Sequence, residues 1–141
     1  MQEASLLASL IMFVLLILLL VGEILVARRL ERGRQPKPPG QLPYTWGYFC
    51  GIQGIAVAAF AILVSFVGIA SSGRQFGSLG IPELVVLTIL AILCYGIPGY
   101  FVIQRRRWAW TTLTIFMFNI IIWVINYSYG KNRWNEFDQR T

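Results

Sequence analysis

The 141-residue sequence contains no histidine and only two cysteines, Cys50 and Cys94. The lack of histidine excludes bis-histidine haem ligation, most catalytic zinc sites and the usual proton switch near neutral pH. The two cysteines form no CxxC pair, which argues against a zinc knuckle or a disulfide-stapled fold. No nucleophile lies beside a base, and no paired carboxylates or phosphate loop are found. The sequence therefore predicts no enzyme, and no catalytic residue, metal or cofactor.

Charge is also scarce, since 13% of the residues are charged, against about a quarter in an ordinary soluble domain. Four stretches carry no charge at all: residues 4–22, 38–73, 84–104 and 108–130. Each is close to, or longer than, the roughly 20 apolar residues that cross a bilayer as a helix. A soluble helix of that length would show a polar stripe, which these stretches lack. The prediction is an all-α integral membrane protein with four transmembrane helices in one bundle.

We expect a single membrane domain over residues 1–141, with helices at about 4–27, 45–70, 82–104 and 108–129. The first helix is predicted to be retained, because its start lacks the basic region of a signal peptide. A basic, proline-rich linker over residues 28–43 and a short polar tail over residues 130–141 complete the chain. Pro98, between Gly96 and Gly99, predicts a kink in the third helix.

Small residues recur along the second helix at alternating spacings of four and three, which places them on one face. They are Gly47, Gly51, Gly54, Ala58, Ala61, Ser65 and Gly68. Small side chains let another helix approach closely where water supplies no hydrophobic drive. The favoured interpretation is packing against this protein's own helices. The alternative is a docking face for a second copy or another subunit.

Four residues in or beside the apolar runs are candidate polar groups inside the membrane: Glu23, Gln53, Asn119 and Asn126. Glu23 lies near the end of the first helix, where an ion pair with Arg28 or Arg105–Arg107, or snorkelling to the interface, is the favoured interpretation. The alternative is a carboxylate that couples transport to a proton or cation. Asn119 and Asn126 are seven residues apart, so we expect one inward-facing side of the fourth helix to carry both.

Arginines mark the ends of the apolar runs, and we interpret them as contacts with lipid headgroups that set the topology. They are Arg28, Arg29, Arg105, Arg106 and Arg107. Placing both arginine-rich connections inside gives eight basic residues inside against four outside. This predicts both termini on the non-cytoplasmic side, although three basic residues in the tail argue the other way. Nucleic-acid binding would need a broader basic surface, so no such partner is predicted.

These patterns favour a non-catalytic multi-pass membrane subunit, an accessory, assembly or structural component of a larger complex held by helix packing. Its expected partners are membrane lipids and other membrane subunits or further copies of itself. The alternative is a small oligomeric transporter or channel that uses Glu23, Gln53, Asn119 and Asn126 to line a path.

Overall fold

A computed structural model describes residues 2–33, 43–70, 80–117 and 119–138, with side chains from residue 9 onward. The described part of the chain is all-helical and contains no strand. Contacts divide the chain into two units, residues 1–49 and residues 50–141. Residues 71–79 between the second and third predicted helices, most of the linker and the last three residues lie outside the described part.

The first unit holds α1 (Gln2–Gly33) and the start of α2 (Thr45–Ala70). Helix α1 continues six residues beyond the predicted end at residue 27, so the predicted linker begins inside a helix. Basic side chains near a helix C-terminus interact favourably with the helix dipole, which explains why the arginines extend the helix rather than end it.

Glu31 connects the end of α1 to the start of α2. Its Oε2 atom accepts a hydrogen bond from the backbone N–H of Tyr44 at 3.0 Å. The Tyr44 ring packs edge-to-face on Tyr48, with centroids 5.2 Å apart. Ala27, Tyr44 and Tyr48 are all buried. A carboxylate and two tyrosines thus hold the chain where it enters α2.

The second unit continues with α2 and then a helical stretch made of α3 (Ile81–Ala91), a π turn (Ile92–Gly96) and α4 (Ile97–Ile103). Pro82 in the first turn and the carboxylate of Glu83 suit a helix start, and α3 begins there. The π turn lies directly before Pro98, and the Ile97 N–H bonds to the Ile92 carbonyl five residues back. This wider turn accompanies a residue that has no N–H to donate.

The last apolar stretch forms two helices, α5 (Arg107–Phe116) and α6 (Ile120–Lys131), so the predicted continuous helix over residues 108–129 is wrong. The backbone of Asn119 is extended, and its Oδ1 atom accepts hydrogen bonds from the N–H groups of Ile121 and Ile122 at 3.0 and 3.3 Å. Asn favours such an N-cap over a helix interior because its side chain can replace a missing backbone partner. A short 3₁₀ turn, Trp134–Glu136, follows α6.

Three helices are long and apolar enough to cross a membrane, at Ser9–Gly33, Thr45–Ala70 and Ile81–Ile103, counted over the described residues. Helices α5 and α6 have 10 and 12 residues. At 1.5 Å per residue they are about 15 and 18 Å long, roughly half of a hydrocarbon core of about 30 Å. Neither helix crosses such a core alone.

Candidate functional site

The small-residue face of α2 packs against the π turn and α4, with the two helical stretches antiparallel. A Cβ atom built on Gly51 would lie 2.7 Å from the carbonyl oxygen of Gly99. A Cβ atom on Gly54 would lie 2.6 Å from the carbonyl oxygen of Tyr95. Both distances are too short for a real side chain. The two backbones are therefore in direct contact, which only glycine permits at these positions.

Farther along α2, the same face contacts α3 through hydroxyl groups. The Ser65 hydroxyl donates to the Leu84 carbonyl at 3.1 Å and is also hydrogen-bonded to the Thr88 hydroxyl. Thr88 lies 3.4 Å from the carbonyl oxygen of Ala61. These hydrogen bonds join α2 to α3. They also give partners to hydroxyl groups that would otherwise be unpaired in an apolar stretch.

The remaining stripe residues lie around these contacts. Ala58 is buried, and a Cβ atom on Gly96 would lie 2.9 Å from its Cβ. Gly68 is half-buried, and Gly47, in the first unit, lies under the Tyr44 ring. Most of the stripe residues thus contact α3, the π turn or α4 of the same chain.

Helices α5 and α6 pack side by side as an antiparallel hairpin. Near the base of the hairpin, where α5 begins and α6 ends, the Trp110 indole lies against Gly130. A Cβ atom on Gly130 would come within 2.6 Å of the indole Nε1. Trp110 also stacks on Tyr129, with centroids 5.4 Å apart. Halfway along, the Asn126 amide nitrogen lies 3.3 Å from the Thr114 hydroxyl. The chain therefore reverses its direction between α5 and α6, and α6 runs back along α5.

The turn of the hairpin lies level with the middle of the α3–α4 stretch. The Tyr95 hydroxyl, in the π turn, donates a 2.6 Å hydrogen bond to the carbonyl oxygen of Phe116, the last residue of α5. Helix C-termini leave such carbonyls without an intrahelical partner, and Tyr95 supplies one. Tyr95 is 14 residues from Ile81 and 8 from Ile103. The hairpin thus reaches only part of the way along the neighbouring helix.

The two ends of the hairpin meet at the arginine corner, Arg105–Arg107. The backbone N–H of Asp138 donates to the Arg105 carbonyl at 3.0 Å. The Asp138 carboxylate lies 3.6 Å from Arg107 and 3.9 Å from Arg106. Arg105 takes a left-handed backbone conformation with φ 59°, which lets the chain reverse between α4 and α5. The end of the described chain is thus held at the start of α5.

The four polar residues singled out in the sequence have different environments. Glu23 is 7% exposed and Gln53 is half-buried. Asn126 is buried, and its Oδ1 atom lies 3.8 Å from the Cys50 sulfur. Asn119 is exposed at the turn as the N-cap of α6. The expectation that Asn119 and Asn126 share one face of a continuous helix is wrong, because the helix breaks at Asn119.

The remaining predicted residues are basic. Arg28 and Arg29 are exposed in the last turns of α1. Arg105 is buried, Arg107 is half-buried and Arg106 is exposed. Arg106 and Arg107 pair with Asp138. The sequence indicates only that Asp138 lies in the short polar tail. No local pattern signals that pairing, since 31 positions separate Arg107 from Asp138.

The interhelical hydrogen bonds of Ser65 with Thr88 and of Asn126 with Thr114 join helices to one another. No group of three or more His, Cys, Asp or Glu side chains that could hold a metal ion occurs among the described residues. No protein-family model, curated protein or solved structure matches the chain.

Proposed function

We propose that this chain is a non-catalytic multi-pass membrane subunit, an accessory, assembly or structural component of a larger membrane complex. The observation that carries the proposal is the surface of α1. All twelve side chains from Leu10 to Val21 are between 42% and 61% exposed, and all are large and apolar. Twelve residues make more than three helical turns, so every side of the helix is exposed. A bilayer or the helices of a partner would cover such a surface.

The polar groups support a packing role over a solute path. Ser65 with Thr88, Asn126 with Thr114, and the Asn119 cap each form hydrogen bonds within the second unit. A path for polar solutes needs several polar groups that face a common space. The Ser65–Thr88 and Asn126–Thr114 bonds instead stabilise contacts between helices, by about 0.6 kcal/mol on average and up to about 1.7 kcal/mol for each interhelical bond in a membrane. The Asn119 cap stabilises the start of α6.

The burial of Glu23 favours the alternative function, a small oligomeric transporter or channel. Burying a carboxylate in an apolar helix costs free energy, and Glu23 is 7% exposed. A residue kept at such a cost indicates a structural or ion-coupling role. Glu23→Gln separates the two functions. A transporter would insert normally but lose coupled flux in proteoliposomes, whereas a packing subunit would show at most a change in stability.

The hairpin also changes the topology that we propose. Four spanning helices would place both termini on the non-cytoplasmic side. A hairpin that enters and leaves at the arginine corner would put the C-terminus on the same side as that corner. Five basic residues in the first linker, three in the corner and three in the tail would then share the cytoplasmic side, eleven of the twelve in the chain. Arg74 alone would be outside. This distribution fits the positive-inside rule better than the eight basic residues inside and four outside that four spanning helices would give.

The kink at Pro98 belongs to the same proposal and stays a prediction. Its support is the π turn directly before Pro98, because both features accompany sharp bends in helices.

The subunit proposal is tested by substituting exposed positions of α1 and asking whether a partner is lost. Two triple-alanine variants cover opposite faces of the helix, and a third substitutes exposed positions of α3 as a matched control. The variants are Leu10/Val14/Ile17, Met12/Leu16/Leu19 and, for α3, Val86/Ile89/Leu90. Alanine keeps the helices apolar, so all three chains should remain in the membrane fraction after carbonate extraction.

We expect at least one α1 variant to lose a protein that co-purifies with the native chain in mild detergent, while the α3 variant retains it. The proposal is contradicted if the native chain, at native expression, purifies without a partner. It is also contradicted if both α1 variants keep the same partner as the α3 control.

A further inference from the structure

An open groove of about 510 Å³ lies between α5 and α6 on one face of the hairpin. Its walls include Trp110 and Thr114 from α5 and Asn126 from α6, and Lys131 and Trp134 lie at its base end. This volume lies within the roughly 300–1,000 Å³ of typical ligand sites. The walls are mainly apolar, and the single charged side chain of the lining is Lys131.

The groove continues toward the turn of the hairpin. A second cavity of about 430 Å³ shares Thr114, Ile115 and Tyr127 with the first and extends to Ile120, the first residue of α6. The two together follow α6 from its last residue to its first. That length is about 18 Å at 1.5 Å per residue, close to half of a hydrocarbon core of about 30 Å. The acyl chain of a lipid in one leaflet spans the same depth of the hydrocarbon core.

The base end of the groove carries positive charge. Lys131 is exposed, and its side chain has no hydrogen bond or ion pair among the described residues. Beside it, the Arg107 guanidinium lies 5.5 Å from the centre of the Trp134 ring, while its charge is paired with Asp138. Lysine with a neighbouring tryptophan is the combination found at the headgroup level of membrane proteins. Lys131 is thus the cation left to meet an anionic group.

We propose that this groove binds one anionic phospholipid, with its phosphate at Lys131 and an acyl chain along α5 and α6 toward Ile120. The proposal rests on the membrane insertion of the hairpin that is proposed above. Charge complementarity at Lys131 and the match between groove length and leaflet depth select a lipid rather than a helix of another protein. The groove gives the lipid a defined site, in addition to general attraction of the basic surface to anionic membranes.

The test measures which phospholipids stay bound. Native, Lys131→Gln and Arg32→Gln chains are purified from nanodiscs that contain equal amounts of phosphatidylglycerol and phosphatidylcholine, and retained lipid is counted by native mass spectrometry. Arg32→Gln is the matched control, because it removes one exposed cation in the last turn of α1, outside the hairpin. We expect the native chain to retain phosphatidylglycerol preferentially. Lys131→Gln should lower that preference about fivefold, and Arg32→Gln should leave it unchanged.

A photoreactive benzophenone side chain at position 111, an exposed position that lines the groove, identifies the occupant in cells. An adduct with the mass of a phospholipid supports the proposal. An adduct with a polypeptide overturns it, as does equal retention of both lipids by the native chain or an equal loss in the two charge variants. Carbonate extraction and partner co-purification are scored in parallel, so failure of the lipid site is distinguished from failure of membrane insertion or of the subunit role.

Discussion

Glycines at positions 51, 54 and 99 determine how closely α2 approaches α4. A Cβ atom on Gly99 would lie 2.6 Å from the carbonyl oxygen of Gly51 and 3.0 Å from the backbone nitrogen of Ile55. These neighbours are backbone atoms, which cannot rotate away as the end of a flexible side chain can. Any larger residue must therefore push the helices apart.

Gly54→Val should lower the free energy of unfolding by roughly 1–3 kcal/mol, the usual cost of overpacking a tight contact. The physical reason is the Tyr95 carbonyl oxygen, 2.6 Å from the new Cβ atom. Thermal unfolding in detergent, followed by circular dichroism, measures the change.

Gly22→Val is the control for that measurement, because a Cβ atom there meets no atom within 4 Å. We expect its unfolding curve to match that of the native chain. If the two variants unfold at the same temperature, α2 and α4 are not in as close contact as these distances indicate.

The contact face of α2 could be predicted because small residues repeat with the helical period, a pattern visible in one dimension. Its partners could not. Thr88 is a single polar residue in an apolar run, and nothing local indicates that Ser65 and the Leu84 carbonyl are its neighbours. Such contacts depend on the register between two helices, which residues far apart in the sequence set together.

Among the helices, the break between α5 and α6 has the largest consequence for the fold. Asn119 supplies two hydrogen bonds to the first turn of α6, and Tyr95 supplies one to the last carbonyl of α5. These bonds satisfy some of the backbone groups that the two helix ends leave without an intrahelical partner.

Asn119→Ala should destabilise the start of α6 by about 0.5–2 kcal/mol, the usual cost of losing an N-cap. The expected sign is faster hydrogen exchange at the Ile121 and Ile122 amides, which lose their acceptor. Hydrogen exchange in nanodiscs, read by mass spectrometry or NMR, measures this.

Asn119→Ser serves as the rescue variant, since serine caps helices about as well as asparagine. We expect it to keep near-native exchange at both amides. If Ala and Ser behave alike, the cap does not stabilise the turn.

For the molecule as a whole, the hairpin makes a topology prediction that differs from that of four spanning helices. In a chain with Cys50→Ala and Cys94→Ala, single cysteines are placed at Arg106, Asn132 and Glu83. All three positions are exposed. Labelling with a membrane-impermeant maleimide should modify positions 106 and 132 from the same side of the membrane, because both lie at the base of the hairpin.

Position 83, at the far end of the α3–α4 stretch, should be labelled from the opposite side and serves as the reference. Labelling of position 132 together with position 83 would mean that residues 108–129 cross the membrane, against the proposed hairpin.

Residue chemistry alone was enough to predict the all-helical fold and three stretches long and apolar enough to cross a membrane. Helix type, length and apolarity are local properties, so α2 and the start of α3 lie where the sequence places them. The fourth apolar stretch was different, since an uncharged run of 23 residues fits one long helix as well as two short ones. Contacts over long sequence distances selected the hairpin, among them Tyr95 with Phe116 and Arg105 with Asp138. Hydrogen bonds of that kind form only once the helices have packed, and no local pattern encodes them.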